Sequence, residues 1–185
     1  MLEETLLEAE VKMEKALEVA KEDFATIRTG RANAGMFNKL LVDYYGAPTP
    51  LQQLASFHTP EARTVLISPF DKGAMSGIEK ALRDSDLGVN PSNDGNQIRV
   101  ILPQLTEERR KDYIRLARHK AEEARVAIRN VRRHAKDQVE GAVKDKEIGE
   151  DEGNRAEKEL EVLTRKFVDQ VDEVLKGKES ELLEV

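Results

Sequence analysis

Apolar residues at Leu2, Leu6, Ala9, Met13, Ala16, Ala20, Phe24 and Ile27 recur in steps of three and four. That spacing lines one face of an α-helix. A second stripe runs through Ile114, Ala117, Ala121, Ala124, Ile128, Val131 and Ala135. Thr106 stands before it as a helix cap, with Glu107 and Glu108 at the positive end of the dipole. A helix over 106–143 would be ~57 Å long at ~1.5 Å per residue. Gly149 to Asn154 reads as a turn, and a third stripe follows at Ala156, Leu160, Leu163, Phe167, Val171 and Val174. Three helices with one narrow apolar stripe each can hide those stripes only against one another, in a bundle.

The middle of the chain has a different pattern. All six prolines and seven of the eleven glycines fall between residues 30 and 103, and proline breaks helix interiors. Short β-prone runs at Leu40–Tyr45, Ala55–Thr59, Thr64–Ser68 and Gln97–Leu102 are separated by turn residues. Ser76-Gly77-Ile78-Glu79 has capping-box spacing and predicts a short helix through Arg83, with Gly88 beyond its end. Asn90 to Gly95 is a turn cluster. The expected architecture is therefore α+β: residues 1–29 and 105–185 form a discontinuous three-helix bundle, and residues 30–104 form an inserted β/α/β domain. The two crossings lie near 28–31 and 103–106. Gly30 suggests that they bend, and a fixed elbow is the alternative.

Composition removes several classes of function. There is no cysteine, which excludes disulfide scaffolds, thiol nucleophiles and Cys-ligated zinc. No apolar run approaches the roughly 18 residues of a membrane span. The acidic start, Met1-Leu2-Glu3-Glu4, lacks the features of a signal or transit peptide, so a cytoplasmic protein is expected. His119 and His134 would lie ~22 Å apart on one helix, and His58 has no paired ligand nearby, so no metal site is expected. Gly30 and Gly35 have the glycine spacing of a phosphate-binding loop, but Met36 and Phe37 stand where Lys and Ser/Thr are required. No catalytic motif emerges. The acids lie mostly on solvated helix faces, so neither an enzyme nor a cofactor is expected.

The net charge of −6 conceals a basic block. Residues 1–28 carry 4 basic and 8 acidic groups, residues 107–136 carry 11 and 5, and residues 137–185 carry 8 and 16. At ~100° per residue, Lys111, Arg115, Arg118, Arg125, Arg129, Arg132, Arg133 and Lys136 occupy an arc of roughly 100°. Like charges on successive turns destabilise a helix, and an external polyanion would offset that cost. Arginine also pairs bidentately with phosphate. No aromatic residue interleaves with this face, which disfavours stacking on single strands and favours the backbone and shape of folded RNA. Two alternatives stay open. The arginines could pair with acids on the other two helices, or the chain could be a helical scaffold or adaptor for an acidic protein.

Several blocks together resemble the bacterial ribosome recycling factor family. They are Ile27-Arg-Thr-Gly-Arg-Ala32, Tyr44-Tyr-Gly-Ala-Pro-Thr-Pro-Leu51 with Gln53-Leu-Ala-Ser56, Ser85-Asp-Leu-Gly-Val-Asn-Pro91, Ile98-Arg-Val100 with Pro103-Gln-Leu-Thr-Glu-Glu-Arg-Arg110, and Val126-Ala-Ile-Arg-Asn-Val-Arg-Arg133. The resemblance implies an L-shaped two-domain protein with a flexible hinge, assigned here to Thr29, Gly30, Pro103, Gln104 and Leu105. It implies a cytoplasmic, monomeric, non-enzymatic factor. Such a factor binds large-subunit rRNA in the intersubunit space of the post-termination ribosome. With elongation factor G and GTP it splits the ribosome into subunits, releasing mRNA and tRNA. It implies no DNA and no membrane partner. By matching blocks, Arg28, Arg31, Arg110, Arg129, Arg132 and Arg133 are the implied rRNA contacts. Arg118 and Arg125 join them from the helical-face argument alone.

Overall fold

The computed structural model describes residues 2–184. Four helices carry most of the chain: α1 (Leu2–Thr26), α2 (Met75–Arg83), α3 (Glu107–Lys144) and α4 (Glu150–Leu183). Six strands lie between α1 and α3: β1 (Leu41–Tyr44), β2 (Ala47–Pro50), β3 (Ala55–Glu61), β4 (Thr64–Pro69), β5 (Pro91–Asn93) and β6 (Ile98–Ile101). The protein is α+β. Among the described residues, no helix is long and apolar enough to cross a membrane.

The chain forms two compact units, Met1–Phe24 with Arg115–Glu179 and Ala25–Ile114 with Ser180–Val185. These bounds differ from those read off the sequence. Composition changes at the last proline, whereas packing continues into the ends of α1, α3 and α4.

The first unit is helical. Ala9 of α1, Ala135 and Val139 of α3, and Ala156 and Leu160 of α4 share one buried cluster. Met13, Leu17, Ala121, Ile128, Phe167 and Val171 are also buried. Burying a side chain of Leu or Phe size contributes roughly 1.5–3 kcal/mol, so the three stripes account for the association of these helices. Alanines recur on the buried face of α3 and permit close approach.

The joint between α3 and α4 corrects the expected turn at Gly149–Asn154. The turn lies earlier, at residues 145–149, and its left-handed residue is Lys146, with φ 58°. Gly153 is inside α4. A β-carbon there would lie 2.5 Å from Val143 Cγ2 of α3. Glycine is present because the helices nearly touch, and turn chemistry is not the reason.

The second unit holds an antiparallel sheet of order β3-β4-β6-β5 and a separate β1-β2 hairpin. In β6, Ile98 and Val100 are buried while Arg99 and Ile101 face outward, the alternation of a sheet with one covered face. The core joins Phe37, Val42, Leu51, Ile67, Ile78, Leu82 and Leu102. Phe37 stacks on Phe57 with ring centroids 5.5 Å apart.

Three local expectations fail here. The capping box does not form: α2 begins at Met75, its N-cap is Ala74, and Ser76 lies inside the helix. Asp71 instead caps the preceding 3-10 turn by accepting from Gly73 N at 2.8 Å. The run Ala47–Pro50 pairs with β1 as a strand, although it contains two prolines. An edge position tolerates their missing N–H groups. Pro91–Asn93 also pairs, with β6. The turn is confined to the next residues, where Asp94 Oδ1 accepts from Asn96 N and Gln97 N, both at 2.9 Å.

Candidate nucleic-acid interface

Thr106 starts α3 as its position suggests. Its hydroxyl accepts from Arg109 N at 3.1 Å, and its carbonyl accepts from Arg110 N at 3.0 Å. The helix then carries its basic residues through 38 positions, and their surroundings change along its length.

Lys111 lies 3.7 Å from Glu107 on its own helix. Arg115 is exposed and engages a neighbour. Arg118 and Arg125 reach across to α4. Arg118 Nε donates to Glu179 at 2.8 Å, and Arg125 Nε donates to Asp172 at 2.8 Å. Arg125 also donates to Glu122 at 2.8 Å. The bond to Glu179, reinforced by its charge, raises the pKa of Arg118. Burial works against the charge of Arg125, but the bonds to Asp172 and Glu122 outweigh it and its pKa also rises. These two arginines therefore follow the alternative in which bundle acids neutralise bundle bases.

The next turn is different. Among the described residues, Arg129 approaches a single acid, Glu122, at 3.8 Å. Arg133 donates to the neutral Asn130 at 3.1 Å. Arg132 is half-buried, its Nε is shielded from solvent without a partner, and among the described residues it forms no ion pair. Lys136 lies 3.9 Å from Glu140. From Arg129 to Arg133 the helix thus holds three guanidinium groups with one long acid contact between them.

The remaining candidates lie in the second unit. Arg28 is only 5% exposed. Its guanidinium donates to the carbonyl of Pro103, which ties one crossing to the other. Burial lowers its pKa; Tyr113 opposes that, and nearby Arg63 and Arg109 add to it. At this position the side chain of Arg28 is enclosed and bonded to the second crossing. Arg31 is exposed. It lines a cleft of about 480 Å³ with Arg63, Gln104, Leu105, Arg110, Glu181 and Glu184. Arg110 Nε is shielded and unpartnered.

The crossings are well structured. Thr29 is buried, and its hydroxyl accepts from Arg31 N at 3.3 Å and lies 3.2 Å from Arg31 O. Ala32 N donates to Ala62 O and Leu102 N donates to Arg63 O, both at 2.7 Å. Leu105 is buried, while Pro103 and Gln104 are exposed. Gly30 is not among the residues with positive φ, and a β-carbon there would meet Glu184 O at an ordinary 3.7 Å. Nothing in its backbone requires glycine.

Sequence reasoning missed Arg63. It occupies the β3–β4 turn, where no helical periodicity exists, and only the sheet topology brings it beside Arg31 and Arg110. His119 forms a local pair with Glu123 at 2.9 Å. Among the described residues, no group of three His, Asp or Glu side chains could hold a metal ion.

The sequence model of the family described as ribosome recycling factor matches residues 20–183. The chain belongs to the ribosome recycling factor family. The ribosome-recycling factor of Kineococcus radiotolerans is 72% identical over the full length of both chains, and that of Streptomyces avermitilis is 68% identical over the same extent. A solution structure of a ribosome recycling factor aligns with a TM-score of 0.79 at 42% identity, covering 100% of this chain and 98% of that one. A second structure describes models for the Thermus thermophilus ribosome recycling factor and Escherichia coli elongation factor G bound to the post-termination complex. It aligns at 0.72, with 46% identity and full coverage of both chains. Membership in this family makes the chain a translation factor.

Proposed function

We propose that the protein binds the post-termination ribosome through large-subunit rRNA in the intersubunit space. With elongation factor G and GTP it then separates the subunits and frees mRNA and tRNA. The observation that carries the RNA contact is the stretch Arg129–Arg133, where three arginines share one acid contact, 3.8 Å long. Buried or crowded arginines without acids are costly, and phosphates would complete them. Arg31 and Arg110 extend the contact. Arg118 and Arg125 contribute less, because Glu179 and Asp172 already hold them. The acidic faces of α1 and α4 repel RNA elsewhere and so confine binding to one face.

The work is mechanical. The helical unit anchors on RNA, elongation factor G pushes on the sheet of the second unit, and the crossings at Thr29–Gly30 and Pro103–Leu105, which lie inside that unit, bend as they pass the push on. The protein acts as a monomer in the cytoplasm, where ribosomes are. A splitting assay with post-termination ribosomes, elongation factor G and GTP tests this reading. Subunit release dependent on the protein is expected, and its absence would overturn the assignment.

A further inference from the structure

The β1–β2 hairpin turns through Tyr45 and Gly46, with φ of 50° and 84°. Glycine takes that region freely. A bulky aromatic residue does not, because its β-carbon crowds the backbone. Burial does not repay the strain at Tyr45, which is 81% exposed. Strain of this kind persists where the surroundings hold a side chain in place for use.

The surroundings do hold it. Its ring stands edge-on to Tyr44, with centroids 4.6 Å apart. Tyr44 donates to Asp71 Oδ2 at 2.6 Å, and the Tyr45 hydroxyl lies 3.4 Å from the same oxygen. Phe70 adjoins Asp71, and its backbone is fixed by a bond from its N–H to Leu54 O at 2.9 Å. The residue is nevertheless 71% exposed. Of five Phe and three Tyr, only Tyr45 and Phe70 are exposed; Tyr45 borders the carboxylate, and Phe70 precedes it in the chain. The hydroxyl of Tyr44 and the N–H of Gly73 keep Asp71 below the usual carboxylate range. Lys72 forms no ion pair with it among the described residues.

An ionised carboxylate beside an exposed ring suits a cation. A guanidinium or ammonium can lie against a ring face and bond to the acid together, and tyrosine is a frequent anchor in protein interfaces. Phosphate would be repelled. We infer that Tyr45, Phe70 and Asp71 form a docking surface for a protein partner that inserts an arginine or lysine side chain.

The inference rests on the recycling reading, and its test separates the two. In the splitting assay the wild type reports on recycling itself. If it splits ribosomes, Tyr45→Gly with Phe70→Ala should slow splitting about tenfold or more, as expected when a well-packed anchor is lost. Binding to isolated large subunits should stay unchanged. Splitting at the wild-type rate would overturn the docking surface alone. Asp71→Asn keeps a side-chain oxygen for the Gly73 cap but removes the charge. It should weaken function, whereas a stacked RNA base would be favoured by the change, so a gain overturns the inference. A photoreactive phenylalanine at position 45, bound to post-termination ribosomes with elongation factor G, should cross-link to a peptide containing Arg or Lys. Cross-linking to RNA, or no cross-link above that of the same group at His58, would overturn it.

Discussion

Two stretches of α3 carry the same residue on the same face and differ in what they meet. Arg118 and Arg125 are joined to α4 carboxylates at 2.8 Å. Arg129, Arg132 and Arg133, one to two turns further on, have a single acid at 3.8 Å. Helical arithmetic treats all five alike, because it counts rotation and not neighbours. The cause of the difference is the facing helix. Asp172 and Glu179 lie seven residues apart on α4, matching the spacing of Arg125 and Arg118 on an antiparallel partner. Among the described residues, no equivalent acid meets Arg132. A basic stripe is thus part structural clamp and part available surface.

The largest expected effect sharpens this division. Arg132→Ala should weaken large-subunit binding by about 1–3 kcal/mol and make the salt slope shallower by about one contact. Arg125→Ala should alter the slope less. Equal losses in a salt titration would erase the distinction. Arg28→Met comes next, and it should act on folding: losing a buried charged donor costs about 1–3 kcal/mol in a denaturant titration. The salt slope of the folded protein should stay that of the wild type. A shallower slope would return Arg28 to the RNA contacts. Asp172→Asn with Glu179→Gln should release the clamped pair. A gain of about threefold in large-subunit affinity at low salt is expected, with a steeper slope. Asp172 is exposed and Glu179 only half-buried, so the accompanying stability change should stay at about 1 kcal/mol or less, that of a surface ion pair. Gly30→Ala should be nearly silent, within about 0.5 kcal/mol in stability, with splitting intact, because an alanine β-carbon fits there. A severe splitting defect would show that the crossing must visit a glycine-only conformation.

Much of the fold is legible in the sequence, for physical reasons. The apolar periods of α1, α3 and α4 locate the helices to within a few residues, since a stripe must be buried wherever its partner lies. The errors have one source in common. Gly153 looks like a turn and is a packing residue. Ser76 looks like a cap and sits within α2. In each instance the local signal is real, but a contact distant in sequence decides its use. Arg63 and the Tyr45–Asp71 cluster were not legible, because they form only when the sheet and its hairpin fold.

The contact between Gly153 and Val143 has a consequence for how stiff the helical unit can be. With only a hydrogen atom on one side of it, this joint is already closed, so residue 153 is the point where side-chain size sets the spread of α3 and α4. Alanine, serine and valine there would act as wedges of increasing thickness. They offer a graded way to loosen one end of the protein without touching a charge, and so to ask how much compliance ribosome splitting tolerates.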